Sequence, residues 1–132
     1  KFDIKIDIDE TFVYSDKEWL TYIIDQLINN AIKYSKKDPY LKIWTKKDKN
    51  ETSLFIEDNG EGIKKEDLPR IFERGYTGSN HRNNQYKSTG FGLYMVDLIL
   101  KRLGHDCYVE SSFSKYTRFI IVFKDNRDFF NL

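Results

Sequence analysis

The sequence predicts an α+β fold: a two-layer sandwich in which a mixed sheet is covered on one face by three helices. Three observations lead there. Apolar residues recur at helical spacing over 15–35 and again over 90–103; two strand pairs, at 40–58 and 107–123, are each joined by a short polar turn; and apolar and charged residues alternate over 2–9. A third, shorter helix is predicted over 64–73. With 132 residues the chain is long enough for one sizeable core and too short for two, so a single domain spanning 1–132 is expected.

Each element has its own grounds. Phe2, Ile4, Ile6 and Ile8 alternate with Asp3, Lys5, Asp7 and Asp9, which predicts a half-buried strand with one solvated face, and 11–14 reads as a short second strand. Ser15 followed by Glu18 is a capping-box pattern, after which Trp19, Leu20, Ile23, Ile24, Leu27, Ile28, Ala31 and Ile32 form the buried stripe of an amphipathic helix. That helix ends in the Lys36-Lys37-Asp38-Pro39 group, because the residue before proline is pushed out of the helical region. Residues 40–45 and 52–58 read as a hairpin with a polar tip at 46–51. The 64–73 helix tolerates Pro69 in its first turn. Gly90 opens the last helix, whose face carries Leu93, Val96, Ile99, Leu100 and Leu103, and Gly104 stops it. Residues 125–132 read as an untethered tail.

Composition narrows the function classes. Aromatics at 16% and hydrophobics at 39% support a packed globule despite 33% charged residues. A net charge of +1, with the two signs interspersed, gives no general attraction to nucleic acid or to a membrane surface, and Lys46, Lys47 and Lys49 read as a solvated hairpin tip. The single cysteine, Cys107, excludes an internal disulfide and a cysteine-built metal site and fits a reducing compartment. No stretch reaches transmembrane length and no signal-peptide pattern opens the chain. It begins with Lys1, directly in a strand pattern, and is therefore expected to be a soluble piece of something longer.

Three groups of residues carry the chemistry. Gln26, Asn30 and Lys33, at i, i+4 and i+7, put two amides and an amine along one line of the first helix. Such a line is ordinarily a solvated polar face. Here it is followed by Asp58-Asn59-Gly60-Glu61-Gly62-Ile63 and by Ser88-Thr89-Gly90-Phe91-Gly92-Leu93, each glycine pair lying where an element meets a loop. Asp58 to Gly60 alone would be an ordinary turn. Backbone amides at a glycine-opened helix start make an anion seat, which points to phosphates over Gly90, Phe91, Gly92 and Leu93. The third glycine of a dinucleotide fingerprint and the Gly-Lys-Ser/Thr of a P-loop are both missing.

Taken together, these residues resemble the ATP-binding domain of bacterial sensor histidine kinases, in the superfamily shared with DNA gyrase, the HSP90 chaperones and MutL (the GHKL group, with the Bergerat fold). The resemblance covers nearly the whole chain: 26–35 is similar to that family's N box, 58–63 to its first glycine box, 71–78 to its F box and 89–93 to its second glycine box. It implies ATP and Mg2+ as cofactors, with Asn30 as the magnesium ligand and Asn30 and Lys33 as catalytic residues. Tyr34 would pack on adenine or ribose. Asp58 would accept a hydrogen bond from the adenine amino group, discriminating against the carbonyl of guanine. Gly60, Gly62 and Ile63 would line the base, and Thr89 with the 90–93 segment the phosphates. Residues 74–89, long and poor in apolar residues, would be the lid over ATP, with Arg74, Arg82 and Lys87 meeting phosphate. Thr117-Arg118-Phe119 matches a family Thr-x-Phe, which places Thr117 among the nucleotide contacts; Ser114 and Tyr116 stand where family members often carry glycines.

The resemblance also implies a reaction. In the gyrase, HSP90 and MutL branch a glutamate four residues before the metal asparagine activates water; Gln26 stands at that position, and an amide cannot take a proton. A kinase transferring the ATP γ-phosphoryl group to a histidine is therefore implied. The two histidines here, His81 and His105, read as structural or solvent-exposed, so the acceptor is expected on an upstream dimerisation segment, through which the protein would form a homodimer. Trp19, residues 29–35, 75–78 and 88–94 look most like the small intramembrane-sensing kinases of the antimicrobial-peptide response. That likeness implies a cytoplasmic domain of a bacterial cell-membrane protein, partnered by a response regulator and a peptide-antibiotic ABC transporter, with no direct nucleic-acid contact. Two other readings compete: an ATP-dependent conformational switch, and a degenerate nucleotide-binding module that only pairs with a partner.

Overall fold

The computed structural model describes residues 1–9, 12–76 and 91–124. Along them run β1 (Asp3–Asp7), α1 (Lys17–Lys33), β2 (Tyr40–Asp48), β3 (Glu51–Asp58), a 3-10 turn (Leu68–Arg70), α2 (Phe91–Arg102), β4 (Asp106–Ser112) and β5 (Tyr116–Lys124). The strands make one mixed sheet in the order β1-β2-β3-β5-β4, with β1 parallel to β2 and every other pair antiparallel. A parallel pair needs a crossover, and α1 supplies it between β1 and β2. The predicted α+β sandwich is present, with one change in its helical layer.

Among the described residues that layer holds two α-helices rather than three. Residues 64–73, expected to be helical, form successive turns around the short 3-10 segment. Pro69 has no N–H to donate, which interrupts the ladder an α-helix through this segment would need, and the chain closes instead into a single 3-10 turn. What fixes the segment is partly polar: Asp67, 4% exposed, receives a hydrogen bond from the Tyr76 hydroxyl, while Ile71 and Phe72 turn onto the core. The short strand expected at 11–14 is also missing, since 12–14 carry no strand and Thr11 lies outside the described residues.

The core is built from the stripes the periodicity marked. Ile23, Leu27 and Ala31 of α1 and Val96, Ile99 and Leu100 of α2 are buried against Leu41, Leu54, Ile56, Phe119, Ile121 and Phe123 of the sheet. Trp19 and Ile32, at the ends of the α1 stripe, stay about half exposed. β1 departs further from expectation, because all five of its residues are exposed and Ile4 and Ile6 show 57% and 61% of their surface. In register they stand beside Leu41 and Ile43 on the helical side, but β1 is the sheet edge away from both helices, since α1 packs against β3 and α2 against β4 at the other edge.

The helix ends show how distant residues set local structure. Asp16, not Ser15, caps α1: its carboxylate accepts from the Trp19 amide at 2.9 Å. Ser15 is engaged elsewhere, its hydroxyl 2.8 Å from Nε2 of His105, a residue 2% exposed that packs edge-on against Phe123 at 4.7 Å. At the end of α2, Gly104 takes φ +81, its amide bonds the Lys101 carbonyl, and the His105 amide bonds that of Leu100. This is a Schellman closure, as the glycine stop predicted. His105 thereby ties the end of α2 to the start of α1.

The opposite face of the sheet carries no helix among the described residues, and it is organised in cross-strand rows. Lys42, Glu57, Arg118 and Glu110 are aligned in register, and beside them run Trp44, Phe55, Ile120 and Tyr108. Arg118 binds Glu57 at 2.6 Å and Glu110 at 2.7 Å and lies over the Trp44 and Tyr116 rings, while Trp44 and Phe55 stack at 4.9 Å.

Replacing the α1 cap tests the helix start. Asp16→Ala is expected to cost about 1 kcal/mol of unfolding free energy, read from urea denaturation followed by circular dichroism. Glu18→Gln should cost less than half as much, because the capping box that would have used Glu18 is not formed.

Candidate nucleotide-binding site

The C-terminal half of α1, the end of β3 and the β4–β5 turn converge on one region. On α1, Gln26, Asn30 and Lys33 are each half-buried, along the line their spacing predicted. The line faces the start of α2: a Cβ built on Gly92 would lie 2.9 Å from Oε1, at the far end of the Gln26 side chain. The Lys33 ammonium sits 5.6 Å from the centre of the Tyr34 ring, and burial lowers its pKa from the usual lysine value. Tyr34 closes the helix, its amide bonded to the Asn30 carbonyl at 3.2 Å.

Asp58 ends β3 as a buried carboxylate, 6% exposed. It accepts the Gly60 amide at 2.8 Å. Burial is the main force on its pKa and pushes it up, the Gly60 amide pulls it back, and the neighbouring Glu57 charge adds to the rise, leaving it at about 6. Directly across the β3–β5 ladder stands Thr117, 4% exposed, so its hydroxyl and the Asp58 carboxylate project side by side on the helical face.

The glycine loop that follows is gripped from both sides. A Cβ on Gly60 would lie 2.5 Å from the Tyr34 carbonyl oxygen, and the next amide, of Glu61, donates to that same oxygen at 2.9 Å. Gly62 adopts φ +71, and a Cβ there would fall 2.3 Å from the Ser112 carbonyl oxygen. The Ser114 amide donates to the Glu61 carbonyl, the Lys36 ammonium donates to the Ser114 carbonyl, and the Ile63 amide donates to Oγ of Ser111 at 2.7 Å. Asn59 anchors the outside, accepting from the Tyr40 amide at 2.8 Å and donating to the Asp38 carbonyl at 3.2 Å.

The structure thus brings Asn30, Lys33, Tyr34, Asp58, Gly60, Gly62, Gly92 and Thr117 into one neighbourhood. Ile63 and Leu93 also pack on the core. Arg74 is exposed on the segment leading away from Ile71, and of the expected lid only 74–76 fall within the described residues. Lys87, Thr89, Gly90 and the side chain of Phe91 lie outside them, as do His81, Arg82 and the 125–132 tail. Ser114, standing where a glycine was expected, adopts φ 67, the left-handed conformation that glycine takes freely, so the turn keeps that geometry. Sequence reasoning missed Lys36, Asn59 and Ser111. The one available signal was Ser111 at the inward position two residues beyond Val109, where an apolar residue would continue the pattern.

Comparison with known proteins agrees with this geometry. Residues 15–127 match the family model described as histidine kinase-, DNA gyrase B- and HSP90-like ATPase. The chain belongs to that family, whose ATP-binding fold it shares. The sensor protein kinase GraS of Staphylococcus aureus (strain N315) is 40% identical over 122 residues, covering 92% of this chain and 34% of GraS. This chain therefore spans about a third of the length of such relatives. Among solved structures, the mycobacterial sensor histidine kinase MprB superposes with a TM-score of 0.80 at 20% identity, over 93% of this chain and 81% of that one. The Acinetobacter baumannii histidine kinase AdeS gives 0.74 at 30% identity, over 96% and 55%.

Two outcomes follow from the site. If Asp58 accepts the adenine amino group, as the family resemblance implies, its ionised form is the better acceptor, and adenine-nucleotide affinity should fall as pH drops through about 6. Asp58→Asn should remove that part of the pH dependence in calorimetric titrations of both proteins. For the loop, Gly62→Ala combines a left-handed backbone with a carbonyl clash, whereas Gly75, at φ +80, has open space around its Cβ position. Thermal unfolding should show Gly75→Ala costing on the order of 1–2 kcal/mol and Gly62→Ala clearly more, or failing to fold.

Proposed function

We propose that this chain is the catalytic ATP-binding domain of a two-component sensor histidine kinase, transferring the γ-phosphoryl group of ATP to a histidine on a dimerisation segment outside the chain. The observation that carries the choice within the family is Gln26. It stands one helical turn before Asn30, where the hydrolytic branch needs a carboxylate to activate water, and its amide cannot serve as a base. A neutral imidazole is already a nucleophile, so a histidine acceptor needs no base on this side. A conformational-switch ATPase lacks its essential group in these residues. The degenerate-module reading has no specific observation in its favour.

The roles in this reading are those the family resemblance implies. Asp58 and Thr117 receive the base, Gly60 and Gly62 let the backbone approach its plane, and Tyr34 packs beside base or ribose. Lys33 meets the phosphates by its ammonium, and Asn30 would hold a magnesium ion beside them. The donor set fits magnesium: one hard amide oxygen at a half-buried helix position suits a cation that keeps waters and bridges phosphates. When bound, such an ion would supply positive charge against the phosphates. Gly92 and Leu93, at the start of α2, together with Thr89, Gly90 and Phe91, complete the phosphate seat. Arg74, Arg82 and Lys87 act from the lid. Positioning of the phosphate for in-line attack then supplies most of the catalysis.

The wider assignment rests on the likeness to sensor kinases. We take the chain to be one domain, 1–132, of a longer bacterial membrane protein. It faces the cytoplasm, dimerises through an upstream segment and passes its phosphoryl group to a response regulator. An ABC transporter for peptide antibiotics is a partner in this reading. Among the described residues no helix is long and apolar enough to cross a membrane.

Labelled ATP gives the test. The chain alone should bind ATP, neither label itself nor release phosphate appreciably, and transfer acid-labile label to the upstream dimerisation segment added in trans. Replacing that segment's histidine should abolish the transfer, and Asn30→Ala should remove the magnesium-dependent part of ATP affinity. Rapid phosphate release by the chain alone, lost with Asn30→Ala, would place it in the ATPase branch instead.

A further inference from the structure

Ser111 lies outside the four boxes, yet its hydroxyl is saturated by three contacts. A serine hydroxyl has one proton to give and two lone pairs to receive with. Oγ of Ser111 lies 2.6 Å from the Tyr116 carbonyl, which can only accept, so the proton is committed there. The Ile63 amide, which can only donate, takes one lone pair at 2.7 Å. The third contact, 3.3 Å to Oγ1 of Thr117, could run either way for an isolated pair of hydroxyls. Here it has one solution, with Thr117 the donor.

We infer that Ser111 is a specificity-determining positioning residue, which fixes the Thr117 hydroxyl with its proton turned toward β4 and its lone pairs left for the nucleotide. The inference rests on the adenine-site reading of Asp58 and Thr117 and adds a partner to it. Thr117 is 4% exposed and stands across the ladder from Asp58, so the two present a carboxylate and an acceptor-only hydroxyl side by side. A free threonine hydroxyl would rotate and donate to a 6-carbonyl as readily as it accepts from a 6-amino group. Held by Ser111, it can only accept. The pair then favours a base with an amino group at that edge and rejects one with a carbonyl. The same serine binds the Ile63 amide, so it registers the glycine loop against the strand that carries the acceptor.

The experiment compares ATP with inosine triphosphate, which differs at the base by a 6-carbonyl in place of the 6-amino group and a proton on N1. Calorimetry gives both affinities for the unmodified chain, Ser111→Ala, Ser111→Thr, Thr117→Val and the Ser111→Ala/Thr117→Val double variant. Ser111→Ala should reduce the ATP preference by roughly tenfold, the scale of one hydrogen bond. Ser111→Thr should retain it, and Ser111→Ala should leave the preference unchanged once Thr117 is Val. If Ser111→Ala does not fold, Ser111→Cys keeps the volume and weakens the same bonds, with the same expected loss. A preference unaltered by Ser111→Ala, or a loss equally large in the Thr117→Val background, would overturn the role of Ser111 and leave the adenine site standing. Equal binding of ATP and inosine triphosphate by the unmodified chain would overturn the adenine reading and this inference with it.

Discussion

Two backbone carbonyls, of Tyr34 and Ser112, stand so near the loop after β3 that no side chain fits at Gly60 or Gly62. Most of the site depends on that closeness. α1 has to end at Tyr34 for its last carbonyl to receive the Glu61 amide, and the β4–β5 turn has to reach back for Ser114 and Ser111 to hold Glu61 and Ile63. The packed loop in turn covers Asp58, and it is this dryness that pushes the carboxyl toward neutrality. A polar site is thus made from backbone contact, with few side-chain bonds of its own.

Alternation along β3 gives its last two carboxylates opposite circumstances. Glu57 points to the outer face, where Arg118 binds it at 2.6 Å and the Tyr40 hydroxyl donates to it at 2.9 Å. Asp58 points inward and is bonded by the Gly60 amide. Adjacent acids could not both be left dry and unpaired without a heavy desolvation cost. The outer row of charges therefore supports the inner site although it touches nothing in it, because Arg118 satisfies the acid that would otherwise add more to the burden on Asp58.

Much of this could be read from the chain, and the reasons for the misses are specific. The α1 and α2 stripes, the two hairpins and the Gly104 stop follow from local periodicity and local backbone freedom, which the structure leaves in command. Gly60 and Gly62 were legible as glycines at a loop, and the close approach of the Tyr34 and Ser112 carbonyls is what leaves glycine as the one residue that fits there. Ser15 was misread because its hydroxyl is taken by His105, ninety residues further on, and the cap passes to Asp16. The 64–73 segment satisfies helical spacing on paper, but Pro69 and the Asp67–Tyr76 bond decide it. β1 has the alternation of a half-buried strand, but it lies at the sheet edge away from both helices, and that leaves its isoleucines uncovered. Ser111 gave almost no signal, because its importance lies in what three neighbours on other segments can and cannot donate.

The order of the strands has a consequence for how the domain is made. β5 follows β4 in the chain, yet it lies inside the sheet, flanked by β3 on one side and β4 on the other. Until it emerges, β3 has one unpaired edge, and Asp58 has no Thr117 beside it. A growing chain can form the β2–β3 hairpin and α1 early, as local contacts allow, but it must carry an open sheet from the end of β3 until β5 is made. The nucleotide pocket is then completed in the same step that closes the sheet, so a chain stalled before β5 would have neither a stable fold nor a base-binding wall.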